Sequence, residues 1–197
     1  MTTRATTRAR IVDATADLFR RQGYNATGVK QIVATARAPF GSLYHFFPGG
    51  KEELGAEVIR WSGAMYLQLL DTVFDPAPDA VTGIRDCFAG AAETLRATDY
   101  ADACPIATVA LEVASTSEVL RQATADVFES WIGAAAERFE RAGVRPDEAR
   151  PVAVTVLSLL EGAFIFCRAL RTTDPLDDAG AVAAEVVRAA LERPTDR

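Results

Sequence analysis

Apolar residues recur at steps of three and four along almost the whole of this chain of 197 residues. Between residues 81 and 95, for example, this repeat places Val81, Ile84, Phe88 and Leu95 on one face of an α-helix. Strands would instead alternate apolar and polar residues between hairpin turns, and no segment has that pattern. The spacing therefore predicts an all-α protein.

Helix-breaking residues divide the N-terminal part into short segments. Gly23 is expected to end a first helix, and Thr27 is expected to cap a second. A very short third helix over 40–46 is followed at once by the breaker Pro48-Gly49-Gly50. These breaks predict a three-helix domain over residues 1–50.

The rest of the chain, residues 51–197, predicts a larger helical domain. A long fourth helix is expected to start near Lys51, and Pro105 suits the first turn of a later helix. The most apolar helix is predicted over 147–170, and a last amphipathic helix follows it.

Charge is distributed unevenly between the two parts. Residues 1–52 hold eight basic and three acidic side chains, a net charge of +5, whereas the remainder holds 13 basic and 24 acidic ones, a net charge of −11. A basic head on an acidic body favours contact of the head with a polyanion, although an ordinary solvated terminus has the same composition. Within the head, Arg4, Arg8 and Arg10 either contact phosphate or the minor groove, or are simply solvated.

The second and third predicted helices are typical of a helix-turn-helix, in which a short second helix enters the major groove. Gly41 would let the backbone approach DNA, and Ser42 offers a small donor and acceptor. The hydroxyl of Tyr44 can reach a phosphate. Lys51 would bind phosphate together with the free N–H groups at the start of the fourth helix.

The side chains of the ring-rich segment around this helix are expected to point in two directions. Leu43, Phe46 and Phe47 are predicted to face the core, whereas Tyr44 and His45 face DNA. The full set of predicted DNA contacts is Thr27, Lys30, Arg37, Phe40, Gly41, Ser42, Tyr44, His45 and Lys51.

Two N-terminal segments resemble, in order and spacing, the TetR family of bacterial transcriptional repressors. They are residues 10–36, RIVDATADLFRRQGYNATGVKQIVATA, and residues 41–54, GSLYHFFPGGKEEL. The resemblance implies an N-terminal helix-turn-helix domain on a helical ligand-binding and dimerisation domain. It also implies a homodimer that binds a palindromic operator in double-stranded DNA and is released by a small, mostly apolar effector.

Two further features are similar to one branch of that family. They are the extra glycine in Pro48-Gly49-Gly50-Lys51 and the segment CPIATVALE at 104–112. Some members of the branch are related to regulators of drug-efflux or polyphenol-responsive genes.

Four positions of the motif depart from the family pattern. Arg37 stands where the family usually has Gly, and Pro39 stands where a capping Ser or Thr is usual. Phe40 replaces a commonly polar residue, and Phe46 stands where Tyr or His is often found. These departures leave open an alternative, a helical dimeric ligand-binding or scaffold protein with a vestigial helix-turn-helix.

The resemblance implies an effector site among the middle helices of the larger domain. Large side chains on predicted inner faces are its candidates, although plain core packing would use the same residue types. Glu112 lies in an apolar stretch and needs a partner, which is either a ligand or an arginine. The predicted ligand-binding residues are Trp61, Phe88, Cys104, Glu112, Phe128, Trp131 and Phe164.

The helix over 147–170 is apolar around most of its circumference, so a second subunit is expected to cover part of it. The last helix would complete a four-helix contact across a two-fold axis. The predicted dimer interface consists of Val152, Val156, Leu159, Leu160, Gly162, Ala163, Phe166, Val182, Val186 and Ala190.

Several other classes are disfavoured by the sequence. With one histidine, no Glu-x-x-His pair and no nucleophile elbow, no enzyme is expected. The three widely spaced cysteines favour reduced thiols in a cytoplasm over disulfides or a zinc site, and neither a metal nor a cofactor is expected. The start lacks a secretory signal, and the apolar stretch 152–167 is short for a bilayer and contains Glu161.

Overall fold

The computed structural model describes residues 6–102 and 104–193, and all regular structure in those residues is helical. The prediction of an all-α fold is therefore confirmed. The helices are α1 (Thr7–Gln22), α2 (Val29–Thr35), α3 (Ser42–Phe46), α4 (Gly50–Leu69), α5 (Ala80–Ala97), α6 (Pro105–Val113), α7 (Glu118–Ala142), α8 (Pro146–Leu170) and α9 (Asp174–Glu192). A π-helical segment, Leu70–Phe74, directly follows α4.

Local capping chemistry explains where several helices begin. The Thr6 hydroxyl accepts the backbone N–H of Ala9 at the start of α1, and the Asp79 carboxylate accepts that of Thr82 at the start of α5. Pro105 opens α6, where its missing N–H is harmless.

Of the two helix ends predicted around the α1–α2 turn, the structure confirms one. Gly23 ends α1 as predicted, with φ +79° and its N–H donated to the Phe19 carbonyl. The prediction that Thr27 caps α2 is wrong, because Gly28 occupies the cap position. The buried Thr27 hydroxyl instead donates to the Gly23 carbonyl at 2.6 Å and so closes the turn.

The first compact unit consists of Met1–Ala64 and Cys104–Val127. Helix α1 packs against α2, α3 and α6, so this unit takes in more of the chain than residues 1–50. Its core contains the fully buried side chains of Ile11, Phe19, Ile32, Leu43, Phe47, Leu54 and Ile106.

The second compact unit consists of Met65–Ala103 and Phe128–Arg197. Its core is built mainly where α9 packs on α5 and α8. Gly180 permits this close approach, since a Cβ atom there would lie 2.8 Å from Cβ of Phe88. Within the described residues, α8 is long and apolar enough to cross a bilayer by length and composition alone, a weak criterion that core helices also meet.

Candidate nucleic-acid interface

The surface formed by α2, the following turn and α3 combines exposed polar, basic and aromatic side chains. Lys30, Arg37 and His45 are exposed, and the rings of Phe40 and Tyr44 are 53% and 51% exposed. The two rings lie near each other, with centroids 6.3 Å apart. We name this surface, residues 30–45, the α2–α3 surface.

Helix α3 is only five residues long and depends on its buried side for stability. Leu43 and Phe47 are fully buried beneath it, as predicted, whereas Phe46 is only half-buried. The Phe46 ring packs instead edge-on against His45, with centroids 4.9 Å apart. Anchoring by Leu43 and Phe47 leaves the opposite side of α3 exposed.

The turn that joins α2 to α3 contains a non-glycine residue in the left-handed region. Arg37 has φ +48° and donates its N–H to the Ala34 carbonyl, while Ala38 donates to Val33. These two bonds form a Schellman ending of α2, a position that usually requires glycine. Nε of Arg10 donates to the Ala36 carbonyl at 3.1 Å and satisfies another carbonyl of the same helix end.

Helix α3 begins without a side-chain cap. Pro39 supplies none, and Ser42 instead donates its backbone N–H to the Pro39 carbonyl at 2.9 Å. Gly41, at the cap position, has ordinary right-handed helical angles, and a Cβ atom there would meet nothing within 4 Å. Neither backbone strain nor packing inside the chain requires glycine at this position.

The Pro48-Gly49-Gly50 segment turns the chain into α4. Gly50 has φ +70° and donates its N–H to the Phe47 carbonyl, and the Tyr44 ring lies 3.4 Å from where its Cβ would be. The Glu53 carboxylate accepts the N–H of Gly49 at 2.6 Å. An acidic side chain therefore already occupies part of the helix start that was predicted to bind phosphate.

Lys51 lies in the first turn of α4 and is half-buried. Its Nζ atom is 3.9 Å from the centroid of the Tyr24 ring, a cation–π contact. Burial lowers the pKa of Lys51, and the Glu112 carboxylate acts in the opposite direction. Burial also raises the pKa of Tyr24, to which the charge of Glu52 adds.

Two of the three arginines proposed for a DNA-contacting arm make contacts inside the first unit. Arg8 pairs with Glu57 and lies over the Phe47 ring, 5.2 Å from its centroid. Arg10 holds the end of α2, as described above. Arg4 lies outside the described residues. Sequence reasoning missed these roles because the partners are distant in the chain.

Family models match both parts of this chain. The N-terminal domain model of the bacterial regulatory proteins of the tetR family matches residues 11–58. The C-terminal domain model of LmrA/YxaF-like transcriptional regulators matches residues 80–182. The chain belongs to the TetR family of transcriptional regulators. Both matches disfavour the alternative of a scaffold protein with a vestigial helix-turn-helix.

Individual relatives of this TetR-family regulator cover most of its length. The HTH-type transcriptional regulator YxaF of Bacillus subtilis is 35% identical over 89% of this chain and 92% of its own. The regulator Rv0196 of Mycobacterium tuberculosis is 33% identical over 86% and 88%. A TetR regulator from Legionella pneumophila has the same fold, with a TM-score of 0.83 at 21% identity over 94% and 98% of the two chains.

The residues predicted to bind a ligand are divided between the two compact units of this TetR-family chain. Trp61 is 39% exposed on α4, against the expectation of an inner face, because Leu54 and Val58 take the buried side of that helix. Cys104 is buried, and its sulfur accepts the N–H of Ala107 at the start of α6. Glu112 also lies in the first unit, where it contacts the α1–α2 turn.

The second unit brings two of the predicted ligand residues together. The Trp131 ring packs edge-on against Phe128 and Tyr66, with centroid distances of 5.9 and 6.1 Å. Tyr66 was absent from the prediction, although it lies in the same apolar helix as Trp61. Phe88 is buried in the core against Gly180, and Phe164 is half-buried against the same core.

The predicted dimer residues fall into three groups by burial within a single chain. Val152, Val156, Ala163 and Ala190 are buried in the chain's own core, so the expectation that they face a partner needs correction. Leu159, Leu160, Gly162 and Val186 are half-buried. Phe166 and Val182 are 60% and 52% exposed, and the exposed set also includes Val154, Ile165 and Leu170.

Proposed function

We propose that this TetR-family regulator is a repressor that binds a palindromic operator as a homodimer. The observation that carries the proposal is the α2–α3 surface, where exposed basic and polar groups stand beside two exposed rings. The exposed basic side chains of Arg37 and Lys30 can pair with DNA phosphates. The exposed ring of Phe40 can contact a thymine methyl group. A relative named HTH-type transcriptional repressor DhaR, from Mycobacterium sp., is 27% identical over 88% of this chain.

The proposed DNA contacts are a reduced form of the predicted set. They are Lys30, Arg37, Phe40, Gly41, Ser42, Tyr44 and His45, together with Lys51 in the first turn of α4. Thr27 is left out, because its side chain is fully buried and bonded to the Gly23 carbonyl.

The proposed dimer uses the apolar side chains that a single chain leaves exposed on α8 and α9. These include Ile165, Phe166 and Leu170 on α8 and Val182 on α9. Covering such side chains is favourable, since each buried apolar Å² contributes about 25 cal/mol. A two-fold axis would place two copies of α3 in major grooves about 34 Å apart.

A small, mostly apolar effector is proposed to release the repressor from DNA. The edge-packed rings of Tyr66, Phe128 and Trp131 in the second unit are the proposed recognition elements. All three rings offer large apolar area, and Tyr66 and Trp131 each add one polar group, a hydroxyl and an indole N–H. A release of roughly 100-fold in DNA affinity requires a coupling free energy of about 2.7 kcal/mol.

We place this regulator in the cytoplasm, without catalytic activity.

The test titrates the purified protein against its own upstream intergenic DNA and against an unrelated duplex, at two salt concentrations. Tighter, salt-dependent binding to the upstream fragment is expected. The double variant Tyr44→Phe and Lys51→Ala should bind more weakly while keeping its fold. Failure of the wild-type protein to bind either duplex at low salt would overturn the proposal.

A further inference from the structure

The carboxylate of Glu112 lies inside the turn that joins α1 to α2. Its Oε2 atom accepts the backbone N–H of Asn25 at 2.7 Å, and its Oε1 atom fills the space beside Gly23. A Cβ atom on Gly23 would overlap with this oxygen. The φ of +79° favours glycine there, and any side chain at this position would also displace the Glu112 carboxylate.

The same turn connects Glu112 to Lys51. Tyr24, between Gly23 and Asn25, provides the ring that Nζ of Lys51 covers at 3.9 Å. Glu112 stabilises the charged form of Lys51 and so partly offsets the effect of burial on its pKa. Because the ammonium group is half-buried, this attraction is screened less than one between two exposed groups.

The other carboxylates near the start of α4 have separate partners. Glu52 accepts the Ser117 hydroxyl, Glu53 accepts the Gly49 N–H, and Glu57 pairs with Arg8. Of the four acids, Glu112 is the one that combines a bond to the α1–α2 turn with an electrostatic effect on Lys51.

We propose that Glu112 is a positioning residue for DNA binding, which acts in two ways through the α1–α2 turn. It holds the Asn25 amide, and it serves as an internal counter-charge to Lys51 that competes with a DNA phosphate for the ammonium group. The inference rests on the proposed DNA-binding function. It assigns Glu112 to the DNA-binding unit instead of the effector site.

The charge effect is tested with Glu112→Gln, which keeps an oxygen acceptor for Asn25 and removes only the charge. The protein's upstream intergenic DNA and an unrelated duplex are titrated with wild type, Glu112→Gln, Lys51→Gln and the double variant. Glu112→Gln should tighten DNA binding roughly threefold at low salt. It should also steepen the slope of log affinity against log salt concentration by up to about one released ion. The double variant should bind like Lys51→Gln. An equal effect of Glu112→Gln with and without Lys51, or no effect, would overturn the counter-charge.

Two measurements without DNA separate this inference from the proposed function. Acetylation of Lys51 at alkaline pH should be faster in Glu112→Gln, because loss of the counter-charge leaves more neutral amine. Hydrogen exchange at the Asn25 amide should be roughly tenfold faster in Glu112→Ala and nearly unchanged in Glu112→Gln. Unchanged acetylation overturns the counter-charge, and unchanged exchange in Glu112→Ala overturns the hold on the turn. If wild type binds no DNA but both measurements succeed, the proposed function alone has failed.

Discussion

Arg37 combines an unfavourable backbone conformation with an exposed charge. Its φ of +48° places a side chain where the Schellman ending of α2 favours glycine. The charge lies on the α2–α3 surface, where phosphate contact is proposed. The two effects act on different measurements, stability and DNA affinity, and can therefore be separated.

We expect Arg37→Gly to be more stable than Arg37→Ala by about 1 kcal/mol, because only glycine relieves the left-handed conformation. Both variants lose the same charge and should lose DNA affinity to a similar extent, with a salt dependence shallower by about one ion. Urea unfolding and DNA titration at two salt concentrations measure the two effects. Equal stability of the two variants would contradict the strain at this position.

Gly41 offers a second test at the level of a residue, since a Cβ atom there meets nothing within 4 Å of the protein. We expect Gly41→Ala to keep or slightly raise stability and to weaken DNA binding about tenfold or more, because the added methyl group would lie between the backbone and DNA. Gly90→Ala is the matched control, as Gly90 also has open space but lies on α5. Unchanged DNA affinity of Gly41→Ala would contradict the proposed close approach of the Gly41 backbone to DNA.

The π-helical segment after α4 contacts α7 through an arginine and through an edge-on ring pair, Phe74 with Phe139. Arg138 donates to Asp71 at 2.6 Å and to Asp75 at 2.7 Å, and its own side chain is only 12% exposed. The hydrogen bond from Arg138 holds the pKa of Asp75 below its ordinary value. The sequence did not predict this segment, whose ion pairs with Arg138 join residues 67 and 63 positions apart.

The lowered pKa of Asp75 has a defined effect on stability. The unfolded chain binds a proton at Asp75 near pH 4, whereas the folded chain binds it only at lower pH, so this stabilisation is present above about pH 4 and is lost below it. We expect Arg138→Gln to lower stability at neutral pH and to lose less on acidification than wild type. Chemical unfolding between pH 7 and pH 2 measures this difference.

A matched control is Arg168→Gln, since Arg168 donates to the backbone carbonyls of Tyr100 and Ala101. These acceptors do not titrate, so this variant should lose the same stability at every pH. Parallel pH profiles for Arg138→Gln and wild type would contradict the role assigned to Arg138 and Asp75.

At the level of the whole molecule, one part of the apolar surface of α8 is buried within the chain and another part is exposed. Val152, Val156 and Ala163 are buried against the chain's own core, while Ile165 and Phe166 remain 58% and 60% exposed. The exposed part continues onto α9 at Val182. The proposed dimer would cover this remaining part.

We expect Phe166→Glu to convert the proposed dimer to monomer at micromolar concentration, because a buried charge at a two-fold contact faces its own copy. Val119→Glu is the control, since Val119 is 48% exposed in the first turn of α7, outside the proposed interface. Sedimentation velocity distinguishes the two species. A Phe166→Glu protein that stays dimeric would place the interface elsewhere.

The sequence by itself determined the helical class, the breaks at Gly23 and Pro48-Gly49-Gly50, and the N-terminal motif with its buried Leu43 and Phe47. Each depends on residues within a few positions of one another, through the helical repeat and backbone preferences.

Only the tertiary structure decided which face of α8 is covered by the same chain, and that Trp61 is exposed on its helix. It also placed Glu112 on an amide 87 residues away and Arg8 beside Glu57. An apolar or charged residue type indicates that a side chain needs a partner. Which partner it meets depends on how the helices pack, and a local sequence pattern does not determine that packing.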